Sequence, residues 1–172
     1  PVNEFMETKA KGVYAIGDVV ATQQLAHVAS AEGILAVERI AGKPVHPLNY
    51  DHMPNATYCH PEVASVGLTE ARARERGYDV RVGRFPFAAS SKASILGEGE
   101  GFVKVVSEAG YDELLGVHIV GPHATDLIAE AVVALTHEAT AESLMKSVHA
   151  HPTLSEAVME AAHSAVELPI HV

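Results

Sequence analysis

Tryptophan is absent from this 172-residue chain, aromatic residues make up 5% of it, and it has one cysteine, Cys59. A single thiol excludes an internal disulfide and a cysteine-based zinc cluster. The chain therefore suits a reducing compartment rather than the stapled, secreted class. Basic residues are also scarce: 12 Lys plus Arg stand against 22 Asp plus Glu, a formal charge of −10. Phosphate contacts need clustered cations, so a nucleic-acid binder is not expected. A basic partner is the better electrostatic match. No apolar run reaches the roughly 18 residues of a membrane span. No charged n-region followed by an apolar stretch marks a secretory signal. The first residue is Pro1, not Met, which fits a processed chain or a piece of a longer one. The dinucleotide loop G-x-G-x-x-G, the P-loop and the nucleophile elbow G-x-S-x-G are all missing.

What is present is 48% apolar, enough for a core. Gly12 to Asp18 reads as a short buried strand that ends in a Gly-Asp turn. Gln24 to Ala41 carries a helical pattern that stops at Gly42-Lys43-Pro44. Three prolines between Lys43 and Pro54 mark an extended connection and a domain boundary near residue 50. Beyond it, strands are predicted at Ala56–Cys59, Val63–Leu68, Val80–Phe87, Gly101–Ser107 and Glu113–Val120. A short helix, Thr69 to Arg76, has a Thr cap and ends at Gly77. Leu127, Ile128, Ala131, Val132 and Leu135 share one helical face, and further helices follow at Ala141–Lys146 and Ser155–Val166. Strands followed by helices imply an α+β domain over residues 51–172, an antiparallel sheet with helices packed on it. Residues 1–50 are too few for a second complete domain.

The strongest chemical signal is His149-Ala150-His151-Pro152-Thr153-Leu154-Ser155-Glu156. A carboxylate beside an imidazole fixes its tautomer and stabilises its cation, so His151 and Glu156 could form an acid–base pair. The same residues also fit a capping box in which Glu156 only closes a helix end. Spacing alone leaves both readings open. His149 and His151 form an H-x-H pair, but no third ligand has a diagnostic spacing, so no metal site is expected. Gly17-Asp18 ends a strand, where an acid can bind a ligand hydroxyl or cap the next turn. Leu25-Ala26-His27 opens a helix whose first N–H groups lack intrahelical partners.

Taken in order, these pieces resemble the C-terminal part of the dihydrolipoamide dehydrogenases, a family of class I pyridine nucleotide-disulfide flavin oxidoreductases. Tyr14-Ala15-Ile16-Gly17-Asp18-Val19 resembles the second FAD motif. Leu25-Ala26-His27 with Glu32-Gly33 resembles the segment along the flavin ring. Pro61 to Thr69 resembles the entry to the interface domain. Phe85-Pro86-Phe87 with Ser91-Lys92-Ala93, then Gly116 to Pro122, resemble its sheet. The His149 to Glu156 run resembles the active-site segment. The glutathione and mercuric reductases share much of the pattern, but Leu25-Ala26-His27 with His149-Ala150-His151 favours the dihydrolipoamide enzymes, and the tail from Leu168 to Val172 has no cysteine pair.

The resemblance implies a fragment: residues 1–50 would be the last strand and helix of an FAD-binding α/β domain, and 51–172 the dimerisation domain. It implies FAD contacts at Gly17, Asp18, Leu25, Ala26 and His27, and NAD as the electron acceptor of the intact enzyme. It implies that His151 is the acid–base that takes a proton from dihydrolipoamide and that Glu156 orients it. The family is homodimeric, one subunit's His serving the other's flavin and disulfide. The first FAD loop, the redox disulfide and the NAD domain would lie outside this chain, leaving the chain alone inactive. A second function class is a dimeric binding module for the basic peripheral subunit-binding domain of an acyltransferase subunit, with Asp51, Glu138 and Glu142 as candidate contacts. Bacterial cytoplasm and mitochondrial matrix both suit such a protein.

Overall fold

A computed structural model describes residues 1–171. The chain divides into two compact units, Pro1–Tyr50 and Asp51–Val172. In the first unit, helix α1 (Ala26–Ile40) packs Leu35 and Ala36 against Met6. The strand expected over Gly12–Asp18 does not form. Its only bridge is between Glu7 and Tyr14, and Gly17–Val19 is a 3-10 turn. A strand is held by neighbours that accept and donate its backbone hydrogen bonds. This unit supplies one bridge, so Val13 and Ile16 remain exposed.

The second unit is an α+β fold. Strand β1 (Asn55–Thr57) pairs with β2 (Glu62–Gly67). Helix α2 (Glu70–Glu75) follows, with the Thr69 hydroxyl accepting the Arg72 N–H at 3.2 Å and Gly77 at φ +89° closing the helix. Strand β3 (Val80–Pro86) leads to helix α3 (Ser91–Leu96), then β4 (Phe102–Glu108) and β5 (Leu114–Gly121). The five strands form one antiparallel sheet in the order β1-β2-β5-β4-β3. The β4–β5 loop is fastened by the Glu108 carboxylate, which accepts the Gly110 and Tyr111 N–H groups at 2.8 and 2.5 Å. Helices α4 (Ala124–Thr136), α5 (Ala141–Lys146) and α6 (Glu156–Val166) complete the unit.

Helix α3 overturns one expectation. Ser91-Lys92-Ala93 lies in a helix rather than in the sheet. The Ser90 hydroxyl caps it at the Ala93 N–H, 3.3 Å away, and Gly97 ends it in the left-handed region at φ +73°. A Ser cap and a terminal Gly outweigh any strand pairing here.

The main core lies between the sheet and helices α4, α5 and α6, around Val103, Val105, Val117, Ile119, Ile128, Leu135 and Val158. The face of α4 expected from periodicity is the buried one. A smaller cluster, Leu68, Ala73, Val80, Val106 and Leu115, includes α2. Helix α6 comes unusually close to β3: a Cβ on Gly83 would overlap the Ala161 carbonyl oxygen and the Ala165 nitrogen. That backbone-to-backbone approach, with Ala157, Ala161, Ala162 and Ala165 all buried, seats α6 on the sheet and thereby fixes Glu156.

Candidate active site

Chain direction around α6 sets the geometry of the His–Glu pair. The segment from His149 to Ser155 turns into the helix, with a cis peptide at His151-Pro152. Glu156 is the first residue of α6, and its two oxygens are divided between two donors. Oε1 meets His151 Nδ1 at 2.9 Å, and Oε2 accepts the Thr153 N–H at 2.8 Å. The capping box is therefore only half made. The Thr153 hydroxyl turns away, donating to the Ala150 carbonyl at 2.7 Å and accepting from the Ser155 hydroxyl at 3.0 Å, so Ser155, the N-cap, makes no side-chain bond to the helix N–H groups. Burial pushes the Glu156 carboxyl up, but the Thr153 N–H and the His151 bond outweigh it, and the carboxyl sits below its ordinary range. A carboxylate on Nδ1 makes that nitrogen the donor and leaves Nε2 as the acceptor. The His151 side chain is 71% exposed and that of Glu156 only 19%, so the anchor is sheltered and the ring open.

Both residues line a cavity of about 120 Å³, together with Phe85, Ser90, Ser91, Glu160 and His171. A second pair lies one helical turn on. Glu160, 2% exposed, accepts the Ile170 N–H at 2.9 Å and meets His171 Nδ1 at 2.5 Å. Sequence reading missed this pair, although Glu160 at i+4 from Glu156 was the available signal. It also missed the role of His149. That ring is 9% exposed, with Nδ1 donating 2.8 Å to the Ser147 carbonyl and Nε2 at 2.6 Å from Glu130 on α4. His149 thus fastens the turn that presents His151. Among the described residues no three His, Cys, Asp or Glu side chains are grouped to hold a metal ion.

The candidate cofactor residues lie in the first unit. Gly17 turns at φ +68° with its N–H bonded to Glu32, and Asp18 is exposed beside it. Leu25 is the N-cap of α1 without a side-chain cap, and Ala26 and His27 are exposed in its first turn. Of the acidic docking candidates, Asp51 pairs with Arg76 at 2.6 Å and Glu142 with Lys146 at 2.5 Å. Glu138 follows α4 at φ +52°.

Residues 53–162 match the model of the pyridine nucleotide-disulphide oxidoreductase dimerisation domain. The chain belongs to this family. It is 51% identical over 170 residues to the dihydrolipoyl dehydrogenase of Bacillus subtilis, covering 99% of this chain and 36% of that protein. It is 48% identical over 171 residues to the mitochondrial dihydrolipoyl dehydrogenase of Pisum sativum, covering 99% and 34%. The crystal structure of LpdA from Mycobacterium tuberculosis superposes with a TM-score of 0.89 at 28% identity, over 94% of this chain and 35% of that one. The chain thus spans about a third of the length of the curated relatives it matches, in their C-terminal part. No helix among the described residues is long and apolar enough to cross a membrane.

Proposed function

We propose that this chain is the C-terminal part of a dihydrolipoamide-oxidising flavoenzyme, in which it supplies a homodimer interface and the acid–base pair His151–Glu156. The observation that carries this reading is the 2.9 Å bond from Glu156 to His151 Nδ1, which leaves Nε2 to take a proton. Residues 1–50 are read as the closing strip of an FAD-binding domain. The fit rests on two features: the exposed Asp18 carboxyl at a glycine turn, and the start of α1 after Leu25, an N-cap that supplies no side-chain bond. A first helical turn without a side-chain cap presents N–H donors to an electron-rich edge. When bound, FAD would accept the electron pair and relay it to NAD.

The chain's own part is proton handling. His151 Nε2 removes the proton of a dihydrolipoyl thiol, and Glu156 stabilises the resulting imidazolium. The thiolate attacks a disulfide contributed by the rest of the enzyme, because this chain holds only Cys59. One S–S bond breaks as a mixed disulfide forms. The second substrate thiol loses its proton and attacks the substrate sulfur of that mixed disulfide, whose S–S bond breaks as the lipoyl ring closes; the enzyme pair is left as two reduced sulfurs, having taken the two electrons. The expected further partner is the acyltransferase subunit of a 2-oxoacid dehydrogenase complex, and the charge of −10 favours a basic docking module. Asp51 and Glu142 already carry cations of their own, which shifts that role toward other acids. The expected compartment is bacterial cytoplasm or mitochondrial matrix.

The deciding experiment is His151→Gln in the intact enzyme. Dihydrolipoamide turnover should fall by about 10²–10⁴, the usual contribution of a positioned acid–base group. Turnover within a few fold of the parent would overturn the assignment.

A further inference from the structure

We propose that Glu32 is the positioning residue that holds the Gly17–Asp18 turn in shape for the flavin cofactor, acting through the Gly17 N–H. The proposal rests on the cofactor reading above and extends it to a residue that reading does not use. Glu32 lies in the middle of α1 and is fully buried. Its Oε2 accepts the Gly17 N–H at 2.7 Å. Its Oε1 accepts the Thr22 hydroxyl at 2.8 Å and the Tyr50 hydroxyl at 2.8 Å. No Lys, Arg or His forms an ion pair with it among the described residues.

A buried carboxylate without a cation is costly unless neutral donors replace its water. Three do so here, and each comes from a different stretch of chain. Gly17 lies in the 3-10 turn, Thr22 in the loop leading to α1, and Tyr50 at the unit's end. The carboxylate therefore closes residues 17–22 against the helix. That arc carries Asp18, whose carboxyl has no partner among the described residues and is exposed for a ligand. The turn is also confined sterically at Gly17. Gly17 adopts φ +68°, and a Cβ there would come within 3.3 Å of Ala29 Cβ. Tyr50, first by burial and then by Glu32, has its phenol pushed up to about 12, so it stays a donor at neutral pH.

A carboxylate serves all three donors at once, with neither hydroxyl having to reorient. Three donors meet two oxygens that only accept. Glutamine has one accepting oxygen, so its amide would face a donor. The Gly17 N–H cannot turn away, whereas the two hydroxyls can rotate. Relief in Glu32→Gln would therefore come from loosening the turn or reorienting Thr22 and Tyr50.

The test uses the intact flavin-loaded enzyme and the variants Glu32→Gln, Thr22→Val and Asp18→Asn. The readouts are the flavin dissociation constant, by titration of the apoprotein with FAD, and the position and shape of the visible flavin bands. Glu32→Gln should weaken FAD binding about tenfold or more and shift the bands, the scale of one lost charge-assisted hydrogen bond. A dissociation constant within twofold of the parent, with unchanged bands, overturns the proposal. If Glu32→Gln does not fold, Thr22→Val decides: a loss of about threefold or more supports the arc, and unchanged binding refutes it. Asp18→Asn separates the two readings. If it leaves FAD affinity unchanged, the cofactor reading of this segment fails and the Glu32 role goes with it. If it weakens binding while Glu32→Gln does not, only the positioning role fails.

Discussion

Replacing Glu156 by Gln asks whether a carboxylate, rather than any polar group, is needed beside His151. Two donors converge on Glu156: the Thr153 N–H at 2.8 Å and the His151 Nδ1 side at 2.9 Å. Glutamine has a single accepting oxygen. If it keeps the backbone N–H, its amide N–H₂ faces Nδ1, and the ring answers by moving its proton to Nε2. That is the wrong tautomer for a base working through Nε2. The imidazolium also loses its charge-assisted bond, worth about 1.5–3 kcal/mol in sheltered settings. His151 is 71% exposed, so water screens part of that, and roughly 1–2 kcal/mol remains. This converts to about a 5–30-fold loss of rate. The assay is single-turnover reduction of the intact enzyme's flavin by dihydrolipoamide at neutral pH, with flavin content checked. Reduction within twofold of the parent would show that the Glu156 contact is only a helix-end device.

Two further outcomes follow from packing and burial. Gly83→Ala places a methyl group against the Ala161 and Ala165 backbone, so α6 must lift from β3. Overpacking of this kind costs about 1–3 kcal/mol, or roughly 2–12 °C in Tm for a protein of this size; a change under about 1 °C would refute the packing. His118 is pushed below the ordinary histidine value by burial first, against the pull of its bond to the Leu68 carbonyl. The unfolded chain then binds the extra proton first as pH falls. Stability is present above about pH 6.5 and declines below it, before Glu156, Glu62 and Asp51, held low by their partners, lose theirs under their ordinary values. Denaturant titrations from pH 8 to 5 should show that early slope, and His118→Gln should flatten it; an unchanged slope would refute the assignment.

Periodicity, caps and breakers made much of the second unit legible. The Thr69 cap, the Gly77 stop and the apolar face of α4 are local patterns, set by backbone and side-chain chemistry within a few residues. The His151–Glu156 spacing was legible too, but it served a capping box equally well. Local pattern could not divide the two Glu156 oxygens between Thr153 and His151; the turn into α6 and its seat on Gly83 did that. The missing strand at Gly12–Asp18 shows the same limit. Its sequence reads as buried, but a strand exists only where neighbours complete its hydrogen bonds. Glu130, Glu160 and Glu32 are unremarkable in sequence. Each acquires its role from a partner 10 to 19 residues away in the chain, Glu130 with His149, Glu160 with His171 and Ile170, Glu32 with Gly17, Thr22 and Tyr50. The order of elements and the residues able to act as acid or base were thus written in the sequence. Which carboxylate meets which imidazole was decided by tertiary packing, because hydrogen bonds between distant segments depend on positions that only the assembled core defines.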